Sequence, residues 1–113
     1  MKDLDVIFKA LADVNRVRIL KLLGWRKMCV CELAFVLGVS QPAVSKQLKK
    51  LVSAGLVDSE QDGFWTNYFI SPKNLYAKKL LAMLGQWLND EKMIIDDLKK
   101  AKKADRKKLC CRK

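Results

Sequence analysis

Apolar residues recur at helical spacing through the first half of the chain. Leu4, Ile7, Phe8 and Leu11 predict one amphipathic helix. Val17, Leu20 and Leu23, widened by Ile19 and Leu22, predict a second, with Asp13 placed to cap it and Gly24 to stop it. After a link carrying Arg26 and Lys27, a third helix is expected to begin between Cys29 and Glu32. It should end at Leu37, where Gly38 supplies a left-handed residue. Ser40 then caps a fourth helix, with Pro42 tolerated in its first turn. Val44, Leu48, Leu51 and Val52 fall on one face of it and predict a buried stripe. Beyond it the pattern changes. Leu56 to Gln61 reads as a strand, Asp62-Gly63 as a tight turn and Phe64 to Ile70 as the return strand. Ser71-Pro72 breaks the chain. One long helix is expected from about Lys73 to about Lys100, with one apolar stripe through Leu81, Leu84, Leu88, Ile95 and Leu98 and another through Leu80, Met83, Trp87 and Ile94.

This order, α-α-α-α-β-β-α, predicts a mainly α fold with a small β-hairpin: a winged helix-turn-helix. One stripe of the last helix can cover the body, and the second calls for a second copy, so a homodimer pairing through its terminal helices is expected. Such a dimer presents two recognition helices about one DNA turn, ~34 Å, apart to double-stranded operator DNA. The outward positions of the fourth helix are the candidate DNA contacts. Gln41 and Ser45 suit base edges, while Ser40, Lys46, Lys49 and Lys50 suit phosphates. Gln47 fits either role.

Charge refines this picture. The 113 residues carry a net charge of +11, which favours a polyanionic partner. Residues 99–113 hold nine Lys/Arg against the single acid Asp105, so the body is only mildly basic. The expected organisation is a DNA-binding and dimerisation domain over 1–98 and a basic, cysteine-containing tail over 99–113. No apolar run approaches the ~18–20 residues that cross a bilayer, no signal peptide is apparent, and a cytoplasmic protein with no membrane partner is expected. Its four cysteines should then be reduced thiols. There is no histidine, no glycine-rich phosphate loop and no nucleophile–base pair, so an enzyme is not expected.

Four segments together resemble the ArsR/SmtB family of bacterial metal-responsive repressors. They are Phe8 to Leu20 (FKALADVNRVRIL), Cys29 to Leu33 (CVCEL), Ser40 to Leu51 (SQPAVSKQLKKL) and Ala54 to Val57 (AGLV). The resemblance implies a dimeric repressor that leaves its operator when an inducer binds. Its Cys-Val-Cys element implies arsenite or antimonite as that inducer, and no permanent cofactor is expected. Three departures stand out. The third cysteine of arsenic-sensing members is matched here by Ala34. The Asp/His metal sites of other members cannot form without histidine. Asp58, Glu60 and Asp62 surround a wing that is often basic in the family.

Trivalent arsenic is a soft centre that favours thiolates. Cys29 and Cys31 supply two, and the missing third directs attention to Cys110 or Cys111. Residues two apart on a regular helix point to opposite sides, so Cys29 and Cys31 can converge only where the helix is unwound or has not yet begun. Arg26, Lys27 and the helix N-terminus should favour thiolate there. Two alternatives share these residues, a four-cysteine zinc, cadmium or lead sensor and a thiol redox sensor; a third, from another class, is a constitutive DNA-coating protein driven by the basic tail.

Overall fold

The computed structural model describes residues 1–109. Its elements are α1 (Lys2–Leu11), α2 (Val14–Trp25), β1 (Met28–Cys29), α3 (Val30–Leu37), α4 (Gln41–Ser53), β2 (Val57–Asp62), β3 (Trp65–Ile70), α5 (Leu75–Gln86), α6 (Lys92–Ala101) and α7 (Arg106–Leu109). The expected helix-turn-helix and wing are present. The core joins Ile7 of α1, Ile19, Leu20, Leu22 and Leu23 of α2, Leu33 and Val36 of α3, Val44, Leu48 and Leu51 of α4, and Leu56 and Val57 leading into the wing.

The helix boundaries follow from local chemistry. Asp13 accepts from the N–H groups of Asn15 and Arg16 at 2.9 and 3.1 Å and so starts α2. Gly38, at φ +70°, closes α3, and its N–H donates to Ala34 O at 2.9 Å. Val52 departs from the expected stripe: it is 39% exposed, and Val44, Leu48 and Leu51 alone carry the buried face of α4.

Two larger corrections concern the sheet and the C-terminal helix. The sheet contains a third strand, β1, which pairs antiparallel with β3 and gives the order β1-β3-β2. Two residues are too short for alternation to announce, so their pairing is tertiary. The hairpin loop is Gly63-Phe64, one residue later than expected, because Asp62 still pairs with Trp65.

The single long helix is broken in two. At Trp87 the backbone is extended, and Leu88 takes a left-handed φ of +67°, a conformation that costs a non-glycine residue about 1–2 kcal/mol. Lys21 of α2 offsets it. Its ammonium donates to Leu84 O at 2.8 Å, Trp87 O at 2.7 Å and Asn89 Oδ1 at 2.7 Å, satisfying carbonyls that the end of α5 leaves open. Burial lowers the pKa of Lys21. The chain then returns, and Asp97 of α6 meets Arg18 of α2 through two 2.8 Å hydrogen bonds. That bond to Asp97 raises the pKa of Arg18. α6 packs on α2 and α3, and α7 packs on α3.

Candidate thiol site and DNA-reading helix

Cys29 is the last residue of β1 and the N-cap of α3, with extended backbone at φ −91°, ψ 170°. Its partner in the sheet is Asn67 of β3. Cys31 is one step into the helix. This placement meets the geometric condition read from the spacing: the two sulfurs do converge, Sγ to Sγ at 3.3 Å. A single ion with metal–sulfur bonds of about 2.3 Å holds adjacent sulfurs roughly 3.3–3.8 Å apart, so the pair has the spacing to share one centre once Cys31, which is disulfide-bonded in the structure, is reduced.

Cys29 is a free cysteine, whereas Cys31 is disulfide-bonded, which corrects the expectation of reduced thiols throughout. Cys110 and Cys111 lie outside the described residues. Among the described residues, no three His, Cys, Asp or Glu side chains are grouped to hold a metal.

The expectation that this environment favours thiolate is also corrected. Both residues are buried. Burial pushes the Cys29 thiol up, against the opposing pull of the Glu32 N–H. Glu32 is itself buried at the third position of α3. Its Oε1 accepts from the Cys29 N–H at 3.0 Å, completing a reciprocal capping box with the Cys29 sulfur. Its Oε2 takes Arg26 at 2.9 Å. The cation expected to lower the thiol pKa is therefore held by a carboxylate.

A cavity of about 230 Å³ opens beside the sulfurs, walled by Val30, Phe64, Trp65, Thr66 and Gln41. It joins the sulfur pair to the first residue of α4. A second cavity places Lys102 to Asp105 beside Arg26, Glu32 and Asn67, so the segment after α6 runs to the N-terminal end of α3.

α4 presents the expected outer face. Gln41, Ser45, Lys46, Lys49 and Lys50 are exposed, and the Ser40 hydroxyl accepts from the Ala43 N–H at 3.2 Å. Gln47 is resolved: its Oε1 accepts from Arg16 Nη1 at 2.8 Å, while Arg16 Nε donates to Ala10 O at 2.7 Å. It ties α4 to α1 and α2. Lys49 and Lys50 border a groove with Lys9 and Arg16, two basic residues that the helix periodicity alone did not single out. The acids of the wing are largely neutralised within the fold. Lys73 pairs with Asp58 at 2.9 Å and Lys27 with Glu60 at 2.6 Å. The hydrogen bond from Lys73 lowers the pKa of Asp58.

A helix-turn-helix with an exposed polar second helix, followed by a β-hairpin, defines a winged-helix DNA-binding regulator. The profile described as "Bacterial regulatory protein, arsR family" matches residues 13–59. The arsenic resistance transcriptional regulator ArsR1 of Pseudomonas putida is 38% identical over 82% of this chain and 77% of its own length. The arsenical resistance operon repressor of Escherichia coli is 40% identical over 58% of this chain and 57% of its own. HlyU from Vibrio cholerae superposes with a TM-score of 0.68 at 29% identity, covering 77% of this chain and 92% of that one. The homodimeric winged helix-turn-helix domain Mb0332 from Mycobacterium bovis superposes with a TM-score of 0.67 at 30% identity, covering 80% and 81%. The chain belongs to the ArsR family of DNA-binding transcriptional regulators. No helix among the described residues is long and apolar enough to cross a membrane.

Proposed function

We propose that the protein is a homodimeric repressor that releases operator DNA when trivalent arsenic, or antimony, binds Cys29, Cys31 and one sulfur of Cys110 or Cys111. The observation that carries this reading is the 3.3 Å approach of the Cys29 and Cys31 sulfurs at the start of α3. The run of residues 102–105 to the same end of α3 supports a third sulfur from the same chain. Relatives named for arsenic resistance support the inducer, and the homodimeric neighbour supports pairing. Ligation at Cys29 acts on a residue that caps α3 and pairs with the wing, so it perturbs both supports of α4. Gln41 and Ser45 read bases, while Ser40, Lys46, Lys49 and Lys50 hold phosphates.

The test is arsenite titration of the fully reduced protein on its upstream promoter DNA, with antimonite and zinc in parallel, beside a chain truncated after Leu109. Release of wild type at low concentration, with three thiols lost per ion and a much weaker truncation, is expected. Equal release by both chains removes the tail sulfur from the site. Four thiols lost to zinc or cadmium would favour the divalent reading, to which a relative named a cadmium resistance regulator, CadC of Listeria innocua, lends support. The disulfide at Cys31 favours one further reading, a redox sensor, for which peroxide would release DNA with no metal present.

A further inference from the structure

We infer that Arg16 is a positioning residue for DNA reading: through Gln47 it fixes which face of α4 is turned outward. The inference rests on the proposed reading of bases by Gln41 and Ser45 and names what holds them in place.

The Arg16 guanidinium joins two helices. Its Nε donates to Ala10 O at 2.7 Å and its Nη2 to Lys9 O at 3.2 Å, at carbonyls of the last turn of α1. Its Nη1 donates to Gln47 Oε1 of α4 at 2.8 Å. Asp13 Oδ2 stands 4.0 Å from the same Nη1, and Asp13 Oδ1 accepts from the Arg16 N–H at 3.1 Å. The Arg16 side chain is only 11% exposed, so these contacts fix one conformation.

Gln47 lies behind the reading face. At about 100° per residue it stands about 160° round α4 from Ser45 and about 120° from Gln41. The same side carries Val44, Leu48 and Leu51, all buried. Apolar packing is non-directional, whereas a hydrogen bond weakens steeply as its angle departs from linear. The stripe therefore holds α4 to the body, and the Arg16–Gln47 bond sets its roll. A roll of about 20° moves a side-chain tip about 6 Å from the axis by about 2 Å, enough to break a hydrogen bond to a base edge. Lys46, Lys49 and Lys50 reach outward on flexible stems and tolerate that roll. Phosphate contacts carry no sequence information, so the bond bears on discrimination between sequences and much less on affinity for DNA in general.

The experiment uses the fully reduced full-length protein and its variants Gln47→Leu, Gln47→Glu, Arg16→Met, the Arg16→Met/Gln47→Leu double and Gln41→Ala. Affinities for operator and for random DNA of equal length are measured at one salt concentration, and their ratio is the readout. Lost stability alone lowers both affinities together and leaves the ratio unmoved. Gln47→Leu removes the acceptor at similar volume and should cut the ratio about tenfold, the loss of one base contact. Gln47→Glu keeps an acceptor for Arg16. Its charge should weaken both DNAs, with the ratio within about twofold of wild type. Arg16→Met should match Gln47→Leu, and the double variant should lose no more than about twofold beyond either, since both remove one bond. The inference is overturned if Gln47→Leu leaves the ratio unchanged, or if Gln47→Glu lowers it as far as Gln47→Leu. It is also overturned if the two single losses multiply in the double variant, which would make Gln47 a base contact in its own right. Where Arg16→Met does not fold, the contrast between Gln47→Leu and Gln47→Glu decides. A ratio lowered by Gln41→Ala but not by Gln47→Leu overturns the anchor alone. A ratio lowered by Gln47→Leu but not by Gln41→Ala upholds the anchor and removes Gln41 from the base contacts.

Discussion

The helices α3 and α4 begin alike and in opposite surroundings. Each is preceded by an extended residue whose side chain faces the open N–H groups of the first turn, Cys29 for α3 and Ser40 for α4. Cys29 is buried against the sheet, answered by the reciprocal bond from Glu32, and desolvation pushes its thiol pKa up. Ser40 is exposed and leads into Gln41, Ser45 and Lys46, all turned to solvent. On the proposed function, the same helix-end electrostatics serve a small soft ligand in the first case and a large polyanion in the second. Burial decides which, because only the buried end excludes water and only the exposed end can meet a phosphate backbone.

The comparison breaks most severely at Glu32. Glu32→Ala removes the cap of α3 and leaves Arg26 without its carboxylate, and should cost about 2–3 kcal/mol by urea denaturation of the reduced protein. The charge-only change Glu32→Gln should shift Cys29 reactivity to lower pH. Only the thiolate is alkylated, so wild-type modification by iodoacetamide should rise about tenfold per pH unit below the raised pKa of Cys29, with the variant's curve displaced toward acid. Gln41→Ala should weaken operator binding by about 1–2 kcal/mol and random DNA hardly at all, as read by competition at fixed salt. Equal weakening on both DNAs would remove its base-reading role.

Ser40→Ala should cost about 1 kcal/mol of stability through the lost cap, together with weaker binding to both DNAs. Cys29→Ser sharpens the contrast most finely. A hydroxyl caps as well as a sulfur, so the denaturation midpoint should move by less than about 1 kcal/mol, while arsenical release of DNA is abolished. A large loss of stability would show the sulfur to be packing rather than a ligand.

Beyond these two helix ends, the lesson differs along the chain. The helical spacing of α1 to α4, the Gly38 stop and the wing were all legible, because each rests on periodicity or on a residue with one conformational use. The outer face of α4 was legible for the same reason, although Gln47 was not, since its partner Arg16 is distant in sequence. The thiol pair could be seen to require a helix start, and that is where it lies.

What only the tertiary structure decided is equally specific. Apolar periodicity from Leu80 to Leu98 favours one helix. The break at Leu88 exists because Lys21 caps the end of α5 and Arg18 captures Asp97, contacts that span 63 to 79 positions of sequence. The strand β1 exists because β3 offers an edge to Met28 and Cys29. The raised pKa of Cys29 comes first from burial and then from the neighbouring Glu32, and neither can be read from the nearness of basic residues in sequence. Local periodicity and capping chemistry determined the elements. Desolvation and long-range ion pairing determined how they are joined and how the sulfur pair is buried.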